Sequence, residues 1–440
     1  MRVLAILYCF PPLQVPAALV YLKLVLGLRS NGVDVEILAI DPRSFLAPAP
    51  DLIDPSIMRV VPEDLTQHLV WSPEAMKPVR VIKRLLSGTP WGLRWFEPKK
   101  REWTFAARRY LRGLDLRRYD LLLTCSQPHA NHLLGPPVKK MSGLPWIAYF
   151  SDPWGRNPYA PARNRRSADH HRRLEAQVLE AADYVLYTSD EMLRLTAEDH
   201  GAILGGKSGV LPHAFVPDWY APGRLVPEGF ASEMQASGRE ARAAGRPLRL
   251  LHTGHFYGPR TPAPLIQALA GLGRVKDLEG RLEIDCYGSF PEEARREVSA
   301  AGLERVLRVH PVIPYLDSLA LMSEYDLLLL IDAKLTRTQE SVFLPSKLID
   351  YLGSGTPVLG VSPRRGSTAR VLSETGGLFC DIEDSESLTK MLTRLLAGES
   401  PPRPDPVAVR AYHYGEVARR LLATAATLGV PAGGVAGKAD

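Results

Sequence analysis

Short apolar runs of the β type alternate with longer helical stretches along most of the chain, and this alternation constrains the fold more than any other feature. It is typical of βαβ units, in which parallel strands are covered by helices. The alternation starts again near Val210, so it predicts two doubly wound α/β domains. The predicted strands are Val3–Tyr8, Val33–Ile40, Tyr119–Thr124, Trp146–Phe150 and Tyr184–Thr188 in the first set, and Leu248–Thr253, Leu282–Tyr287, Val306–Val309, Leu327–Ile331 and Pro357–Val361 in the second.

The domain boundaries follow from this pattern and from the length of 440 residues, which exceeds what one hydrophobic core usually supports. We expect an N-terminal domain over residues 1–210 and a C-terminal domain over residues 211–405. A polar insert over residues 222–245 leads into the second set of strands. A helix over residues 406–428 is expected to pack back toward the N-terminal domain, and the small-residue tail over 429–440 is expected to be flexible.

The composition and the cysteine usage are typical of a soluble cytoplasmic protein. Hydrophobic residues make up 45% and charged residues 23% of the chain, as in ordinary globular proteins. No apolar run reaches the roughly 18 residues of a membrane-spanning helix, and the short N-terminal run lacks a small-residue cleavage site, so it reads as a strand. The four cysteines form no CxxC pair, which argues against a zinc site or a disulfide scaffold: Cys9, Cys125, Cys286 and Cys380.

A basic segment from Arg80 to Arg118 accounts for the net charge of +6. It holds 12 Lys and Arg residues against 3 acidic ones, so the rest of the chain is slightly acidic. The segment ends a Pro-rich region over residues 41–118 that reads as irregular. Two interpretations stay open: the segment binds an anionic membrane surface, or it is a solvated helix whose aromatic side chains face the core. The interleaved aromatic residues are Trp91, Trp95, Phe96, Trp103 and Phe105.

Ligands of open α/β sheets bind beyond the carboxyl ends of the strands, so the loops that follow strands are the candidate sites. Three such loops lie in the N-terminal half: YCFPPLQVP, TCSQPHANHLL and FSDPWGRNPYA. The first is stiffened by prolines and lacks the GxGxxG of dinucleotide sites, and a rigid turn without a ligand is its alternative reading. In the third, Asp152 lies beside Trp154 and Arg156, a set suited to hydrogen-bonding sugar hydroxyls. An aspartate that only caps a turn is the alternative.

The loop HTGHFYGPRTPAP opens the second domain and has features that suit a diphosphate. Gly254 and Gly258 permit close approach of the backbone. Arg260 supplies a fixed positive fork, and Thr261–Pro262 starts a helix whose N-terminus favours an anion. A solvated surface arginine is the alternative reading.

The segment LPSKLIDYLGSGTPVL has the most specific pattern in the chain. A helix begins at Pro345–Ser346, and Lys347 in its first turn opposes the helix dipole. A bound phosphate would reconcile the lysine with the dipole. Asp350 lies one turn further on the same face as Lys347 or Ser346, where its carboxylate is suited to two ribose hydroxyls. A surface lysine on an ordinary helix is the alternative.

Four of these segments together resemble the family 4 retaining glycosyltransferases, in the branch that assembles bacterial surface polysaccharides and glycolipids. They are YCFPP, SDPWGRNPY, HTGHFYGPRTP and LPSKLIDYLGSGTPVL, in that order, between Tyr8 and Leu359. The resemblance implies the α/β GT-B fold, with two Rossmann-like doubly wound domains facing across a cleft. It also implies a nucleotide-diphosphate-sugar donor on the C-terminal domain, an acceptor on the N-terminal domain, retention at the anomeric carbon, no obligatory metal, and no cofactor besides the donor.

These observations give the expected site residues. Catalysis is assigned to Asp152, Arg260 and Lys347, because negative charge on the leaving diphosphate needs electrostatic stabilisation and the acceptor needs a polar partner. Donor binding is assigned to Gly254, Tyr257, Arg260, Pro311, Val312, Ser346, Lys347 and Asp350, with the loop HPVIPY as the candidate for the base. The acceptor side is assigned to Pro11, Pro12, His129, Asp152, Trp154 and Asn157, and no metal ligand is expected.

The chain departs from the family pattern at two places. Many members carry two glutamates at a fixed spacing, the first on the donor sugar and the second on the ribose. Here Asp350 takes the second position and Val342 the first, while Glu340 and Ser341 lie nearby but out of register. The family's histidine, which would follow WIAYF, is replaced by Ser151–Asp152.

The predicted function is transfer of a hexosyl or related sugar from the donor to a lipid-linked or polysaccharide acceptor in cell-surface glycan biosynthesis. We expect a cytoplasmic location, peripheral on the inner face of the cell membrane through residues 80–118, and no nucleic-acid partner. Two alternatives stay open: a non-catalytic nucleotide-sugar-binding partner of a polysaccharide assembly complex, and a nucleotide-sugar epimerase of the same fold.

Overall fold

The chain folds into two compact units. In a computed structural model the described residues are 1–44, 53–72, 77–86, 89–96, 98–220, 246–273, 277–334 and 340–431, so the polar insert at 222–245 and the tail from 432 lie outside them. Unit 1 comprises Met1–Ala214 and Tyr414–Asp440, and unit 2 comprises Phe215–His413. Each unit has its own hydrophobic core, and the two are described separately below.

Unit 1 is built on a seven-stranded sheet in the order β3-β2-β1-β4-β5-β6-β7, in which every pairing is parallel. Runs such as LLLTCS and WIAYF are buried along their whole length, because helices cover both faces of a parallel sheet. The register aligns Val3 with Val35 on one side and with Leu121 on the other. The strands are β1 Arg2–Ile6, β2 Asp34–Ile40, β3 Gln67–Val70, β4 Leu121–Ser126, β5 Trp146–Phe150, β6 Tyr184–Tyr187 and β7 Ser208–Val210.

Among the described residues of the region expected to be irregular, residues 41–118, most lie in helices or 3-10 turns, so that expectation was wrong for them. Trp103, Ala107 and Leu111 recur at helical spacing and are all buried, so this apolar stripe fixes a helix despite the surrounding prolines. The helices of unit 1 are α1 Pro16–Ser30, α2 Lys77–Leu86, α3 Pro90–Phe96, α4 Arg101–Leu111, α5 Gly135–Ser142, α6 Arg165–Ala181 and α7 Asp190–Leu204. Short 3-10 turns lie at Pro42–Ser44, Pro55–Val60, Leu116–Arg118 and His129–Leu134.

Unit 2 contains a six-stranded parallel sheet in the order β10-β9-β8-β11-β13-β15 and a small β12-β14 pair. The strands are β8 Leu248–Thr253, β9 Leu282–Tyr287, β10 Leu307–His310, β11 Leu327–Ile331, β12 Glu340–Ser341, β13 Val358–Ser362, β14 Arg365–Gly366 and β15 Leu378–Asp381. The helices are α8 Ala263–Gly271, α9 Glu292–Ala300, α10 Tyr315–Leu321, α11 Ser346–Gly353, α12 Ser367–Thr375, α13 Ser385–Leu396 and α14 Pro406–Val409, with 3-10 turns at Pro217–Trp219, Met322–Glu324 and Arg410–Tyr412.

The end of the chain returns to unit 1 as helix α15, Tyr414–Thr427. The stretch from residue 406 is helical in separate pieces, because His413 has an extended backbone. Helix α15 packs closely on α1: a Cβ at Gly27 would lie 2.3 Å from the Tyr414 carbonyl oxygen. The Asn31 amide donates to the Gly415 carbonyl at 3.2 Å. The C-terminal helix is therefore part of the first unit's core.

The strand order has the same consequence in both units. The first strand of each sheet lies between the second and the fourth in chain order, so the chain direction across the sheet reverses beside β1 in unit 1 and beside β8 in unit 2. Loops that leave the carboxyl ends of strands at such a reversal diverge and leave room for a ligand. The loops after β1, β4 and β5, and those after β8 and β11, are therefore the places to look for a site.

Candidate active site

Two glycines shape the loop after β8. Gly254 has φ 110° and Gly288 has φ 138°, a region that side chains rarely adopt. A Cβ at Gly288 would lie 2.1 Å from the Gly254 carbonyl oxygen, so the two backbones touch. The Gly254 amide donates to the Tyr287 carbonyl at 2.8 Å, which continues the ladder between β8 and β9 past the strands. The sequence requires glycine here for backbone packing as well as for ligand access.

Lys347 reaches across unit 2 to this loop from the first turn of α11. A Cβ added at Gly254 would lie 2.7 Å from Lys347 Nζ, so a side chain there would have to displace the ammonium. The Nζ atom is buried and has no hydrogen-bond partner among the described residues. Burial, and after it the charge of Arg260, lower the pKa of Lys347 to about 7, against the raising effect of Asp332. A buried cation without a partner is costly, and an anionic ligand would relieve that cost.

Arg260 provides the second cation of the pocket. The residue is 8% exposed, and its guanidinium lies 3.5 Å from a carboxylate oxygen of Asp332. Its Cζ lies 5.6 Å from the ring centroid of Tyr257, which is 57% exposed. Burial, together with the charges of Lys347 and Arg260, holds the pKa of the adjacent His252 well below its usual range, so that imidazole is neutral. The positive charge of the pocket therefore comes from Arg260 and Lys347.

Asp332 is a buried carboxylate that the sequence analysis missed. It follows β11 directly, and 1% of its surface is exposed. The rule that singled out Asp152, a carboxylate immediately after a buried strand, applies equally to the run LLLLID and would have found it. Its contact with Arg260 places it at the same end of the sheet as the loop after β8.

The other expected donor residues lie on α11 and after β10. The Asp350 carboxylate accepts a hydrogen bond from the Tyr315 hydroxyl at 2.9 Å, and its backbone carbonyl accepts one from Tyr220 at 2.8 Å. Ser346 is the first residue of α11 and is half-buried. Pro311 and Val312 follow the edge strand β10, and both are exposed, Val312 at 54%. Tyr315, the last residue of the loop HPVIPY, is a partner of Asp350 that no local pattern indicated.

The position of the family's first glutamate is apolar and closed to solvent. Val342 is 4% exposed. The neighbouring Ser341 is held in place because its hydroxyl donates to Asp332 at 2.9 Å and its carbonyl accepts from Ser367 at 3.2 Å. Gly366, with φ 136°, permits this packing, since a Cβ there would lie 2.3 Å from the Ser341 carbonyl oxygen.

In unit 1, the loops after β4 and β5 bring His129, Asp152 and Trp154 together. His129 and Trp154 stack with ring centroids 5.3 Å apart. His129 Nε2 lies 3.0 Å from the Asp152 carbonyl oxygen, so this nitrogen carries the proton and donates. Burial lowers the pKa of His129 to about 4, which keeps the imidazole neutral at physiological pH. The Trp154 indole donates to His171 Nδ1 at 2.8 Å, and this bond ties the loop to α6.

The Asp152 carboxylate is held by its neighbour in the chain. The Ser151 hydroxyl lies 3.1 Å from Asp152 Oδ2 and also donates to the Ser126 carbonyl. Burial raises the pKa of Asp152, while hydrogen bonds from Ser151 and Gln127 lower it in part. A carboxylate of this kind is a stronger proton acceptor than an exposed aspartate, which suits contact with a hydroxyl group.

The remaining acceptor-side residues have local structural contacts. The Asn157 side chain accepts from the backbone amides of Tyr159 and Ala160 at 2.9 and 3.2 Å, so it forms a turn. The Pro12 carbonyl accepts from the Asp54 amide at 2.9 Å, and Pro11 is buried. These contacts fix the backbone of the loops after β5 and β1. The stack of His129 on Trp154, in contrast, is a contact between the side chains of two loops.

The aromatic residues of the basic segment divide between core and surface. Trp103 has no exposed surface and packs edge-on against Tyr8 with ring centroids 5.2 Å apart. Trp91 and Phe105 are exposed, at 65% and 46%. The side chains of Trp95 and Phe96 lie outside the described residues. The buried Trp103 agrees with the interpretation of a helix whose aromatic side chains face the core, and binding of the segment to a membrane stays a prediction.

Comparison with known proteins finds one family that part of unit 1 is similar to. Residues 17–203 match the family described as the glycosyl transferase 4-like domain. No curated protein sequence matches the chain significantly. The matched residues lie wholly within unit 1 and include the loops after β4 and β5.

Solved structures with the same fold extend over both units. A glycosyltransferase from Rickettsia africae is 12% identical, with a TM-score of 0.58 and 97% of this chain and 98% of that chain covered. The lipopolysaccharide outer core galactosyltransferase WaaB is 13% identical, with a TM-score of 0.59 and 97% and 100% covered. A UDP-GlcNAc 2-epimerase from Methanocaldococcus jannaschii is 12% identical, with a TM-score of 0.54 and 97% and 100% covered. At such identities these likenesses show the fold alone.

The two findings together show the fold and a partial family match. The chain has the GT-B fold of two Rossmann-like α/β units, and residues 17–203 match the glycosyl transferase 4-like domain. The domain match supports a glycosyltransferase, whereas the fold by itself is shared with the epimerase. In the described part of the chain, no helix has the length and apolar character needed to cross a membrane.

Proposed function

We propose that the protein transfers a sugar from a nucleotide-diphosphate-sugar, bound by unit 2, to a lipid-linked or polysaccharide acceptor, bound by unit 1, in cell-surface glycan biosynthesis. One observation carries the proposal: the buried Lys347 ammonium has no hydrogen-bond partner among the residues that the structure describes, and it lies beside Arg260 at the carboxyl end of β8. A diphosphate supplies the anionic oxygens that these two cations would bind, and the N-terminus of α11 adds a partial positive charge.

The proposed chemistry uses the two units for different ends of one reaction. The bond between the anomeric carbon and the diphosphate breaks, the acceptor hydroxyl oxygen forms a new bond to that carbon, and the hydroxyl proton passes to the departing diphosphate, on which negative charge develops. Arg260 and Lys347 stabilise that charge without a protein nucleophile, and the configuration at the anomeric carbon is retained. In unit 1, Asp152 contacts an acceptor hydroxyl, and Trp154 provides an apolar face for a sugar ring. The Asp350 carboxylate accepts hydrogen bonds from the ribose hydroxyls, and Pro311 and Val312 lie against the base.

We also propose that unit 1 lies on the cytoplasmic surface of the membrane. Val81, Ile82 and Leu85 of α2 are exposed apolar side chains. On α4, Phe105 is exposed beside Arg108 and Arg109, and with the exposed Arg112 at the end of the helix these arginines form a cationic face. Exposed apolar groups next to arginines fit an anionic lipid surface. The arginines would bind the headgroups, and the apolar side chains would insert below them.

The test is a screen of nucleotide-sugars in two stages. A donor that binds the folded protein must raise its melting temperature, and this identifies the sugar nucleotide without knowledge of the acceptor. The identified donor is then incubated with the protein and a membrane lipid extract, and the release of free nucleoside diphosphate is measured. Acceptor-dependent release supports the transferase. Conversion of the nucleotide-sugar without an extract would identify an epimerase instead, and binding without release or conversion would identify a binding protein.

A further inference from the structure

The Asp332 carboxylate connects the parts of the unit 2 pocket. Its side chain has no exposed surface. The Oδ1 atom accepts from the Ala333 amide at 2.8 Å and lies 3.5 Å from Arg260 Nη2. The Oδ2 atom accepts from the hydroxyls of Ser341 and Thr368 at 2.9 and 3.0 Å. One carboxylate therefore holds the loop after β8, strand β12 and helix α12.

A buried carboxylate persists only when it is both hydrogen-bonded and paired with a cation. The hydroxyls of Ser341 and Thr368 satisfy Oδ2 but carry no charge, so the pairing is left to the cations near Oδ1. Arg260 is the cation in direct contact, and the negative charge of Asp332 also acts on Lys347. Two cations near one another repel, and Asp332 is placed to offset that repulsion.

Among the residues that the structure describes, the other groups that act on Lys347 do not supply a negative charge at neutral pH. His252 on β8 and His255 in the following loop are imidazoles whose pKa values the lysine charge helps to lower. Cys286 on β9 is a thiol whose pKa burial raises to about 12, so it stays protonated. Arg260 is itself a cation, and it is the largest charge that disfavours the ammonium. Asp332 is thus the fixed negative charge among the groups that act on Lys347.

We propose that Asp332 is a positioning residue of the donor site, which holds the Arg260 guanidinium in place and keeps Lys347 charged before the diphosphate arrives. The inference rests on the proposed function, because it assumes that both cations bind the donor diphosphate. The inference predicts the direction in which anion affinity changes when the charge of Asp332 is removed. Removal of a negative charge from an anion site should by simple attraction tighten anion binding, whereas loss of a positioning residue should weaken it.

The decisive variant is Asp332→Asn, because it removes the charge and preserves the shape. Hydroxyl groups both donate and accept, so Ser341 and Thr368 can turn to accept from the new amide and the local fold is retained. Thr368→Val is the matched control, since it removes one hydrogen bond to Asp332 and leaves the charge. Melting temperature and circular dichroism of both variants establish that each is folded.

The first measurement does not depend on any ligand. Lysine labelled with ¹³C at Cε is followed by NMR across pH, and the Lys347 signal is assigned by its loss in Lys347→Arg. We expect the titration midpoint of Lys347 to fall by about one pH unit in Asp332→Asn, as for loss of a close opposite charge, and to stay in place in Thr368→Val. An unmoved midpoint in Asp332→Asn would overturn the proposal.

The second measurement is calorimetric titration with uridine, guanosine and thymidine diphosphates at pH 7. We expect Asp332→Asn to bind the diphosphate that the wild type prefers about tenfold more weakly. Binding that is equal or tighter would overturn the positioning role. If the wild type itself binds none of these diphosphates, the proposed donor function fails, and the NMR titration alone then decides whether Asp332 sustains the charge of Lys347.

Discussion

Units 1 and 2 present different chemistry at the same point of the same sheet topology. In unit 2 the loop after β8 and the first turn of α11 bring two cations together, Arg260 and Lys347, and the buried ammonium has no hydrogen-bond partner in the part of the chain that the structure describes. In unit 1 the corresponding loops hold a neutral imidazole stacked on an indole, His129 on Trp154, beside the Asp152 carboxylate. The strand order fixes where a ligand can bind, and the charge of a few loop residues decides whether it is an anion or a neutral, hydroxyl-bearing molecule.

The largest expected effect separates membrane binding from nucleotide binding. Replacing Arg108, Arg109 and Arg112 with Gln should weaken binding to anionic vesicles by about 3 kcal/mol, near 1 kcal/mol for each cation at the surface. Donor binding should not change, because these residues belong to unit 1. Co-sedimentation with anionic and neutral vesicles at two salt concentrations measures the effect, and the wild type should bind less at high salt.

The matched control for that variant removes three exposed cations from unit 2, Arg295, Arg296 and Arg305. Its vesicle binding should equal that of the wild type. A similar loss in both triple variants would mean that net charge alone governs adsorption. Equal pelleting of the wild type with both lipids, or with neither, would mean that residues 80–118 are only a solvated face of unit 1.

The second prediction concerns Lys347, the buried cation of the pocket in unit 2. Lys347→Met should weaken donor binding by about 1.5–3 kcal/mol, roughly 10- to 100-fold, through the loss of one charge-assisted contact. Arg260→Ala should give a loss of the same order. Lys334→Met is the control, because Lys334 is exposed and already paired with Glu383 at 2.8 Å. Native donor affinity in both pocket variants, measured by calorimetry, would show that the diphosphate binds elsewhere.

The pH dependence should also differ between the units. Lysine is charged below its pKa and neutral above it, so donor affinity should fall as pH rises through about 7, where Lys347 titrates. The slope can reach about tenfold per pH unit. An intact nucleotide-sugar is the right probe, because its diphosphate does not change charge in this range. His129, with a pKa near 4, contributes no change between pH 6 and 8. A flat profile, or one that is unaltered in Lys347→Arg, would contradict this assignment.

The smallest predicted effect lies on the acceptor side. Asp152→Asn should lower turnover about tenfold through loss of one charged contact to the acceptor hydroxyl, and should leave donor affinity unchanged. Asp169→Asn is the control, since Asp169 is about half exposed and pairs with Arg172 in the same unit. Donor affinity and turnover are measured separately for each. Full turnover in Asp152→Asn would remove the residue from the site.

Much of the fold can be predicted from the sequence, because buried parallel strands appear there as continuous apolar runs. The runs WIAYF, LRLLHT, LEIDCY and LLLLI have the bounds that the sequence predicts. The edge strands Gln67–Val70 and Ser208–Val210 escape notice, since an edge is short and partly exposed and does not need an apolar run. The bounds of the helix at Arg101–Leu111 were not predicted because the surrounding region is rich in proline. Its buried apolar residues nevertheless recur at helical spacing.

The candidate site is predictable only in part, and the reason is again physical. The positions of Arg260 and Lys347 after strands or at helix starts follow from local pattern. The approach of Lys347 Nζ to Gly254 depends on how α11 packs on the sheet, which no local pattern encodes. The same holds for the contacts of Asp332 with Ser341 and Thr368, which lie on different elements. The residue types in the loops indicate which chemistry is possible. The packing of the helices on the sheet determines which of these residues come into contact.

The packing of α15 on α1 reverses the order in which the units can mature during synthesis. A ribosome finishes all of unit 2 before it reaches Tyr414–Thr427, and until then the surface of α1 around Gly27 stays uncovered. Domains generally fold as they emerge, the N-terminal one first. In this chain the unit that is begun first is completed last, so a growing chain carries an incomplete unit 1 for most of its translation, and a chain that stops short of residue 414 lacks the helix that covers α1.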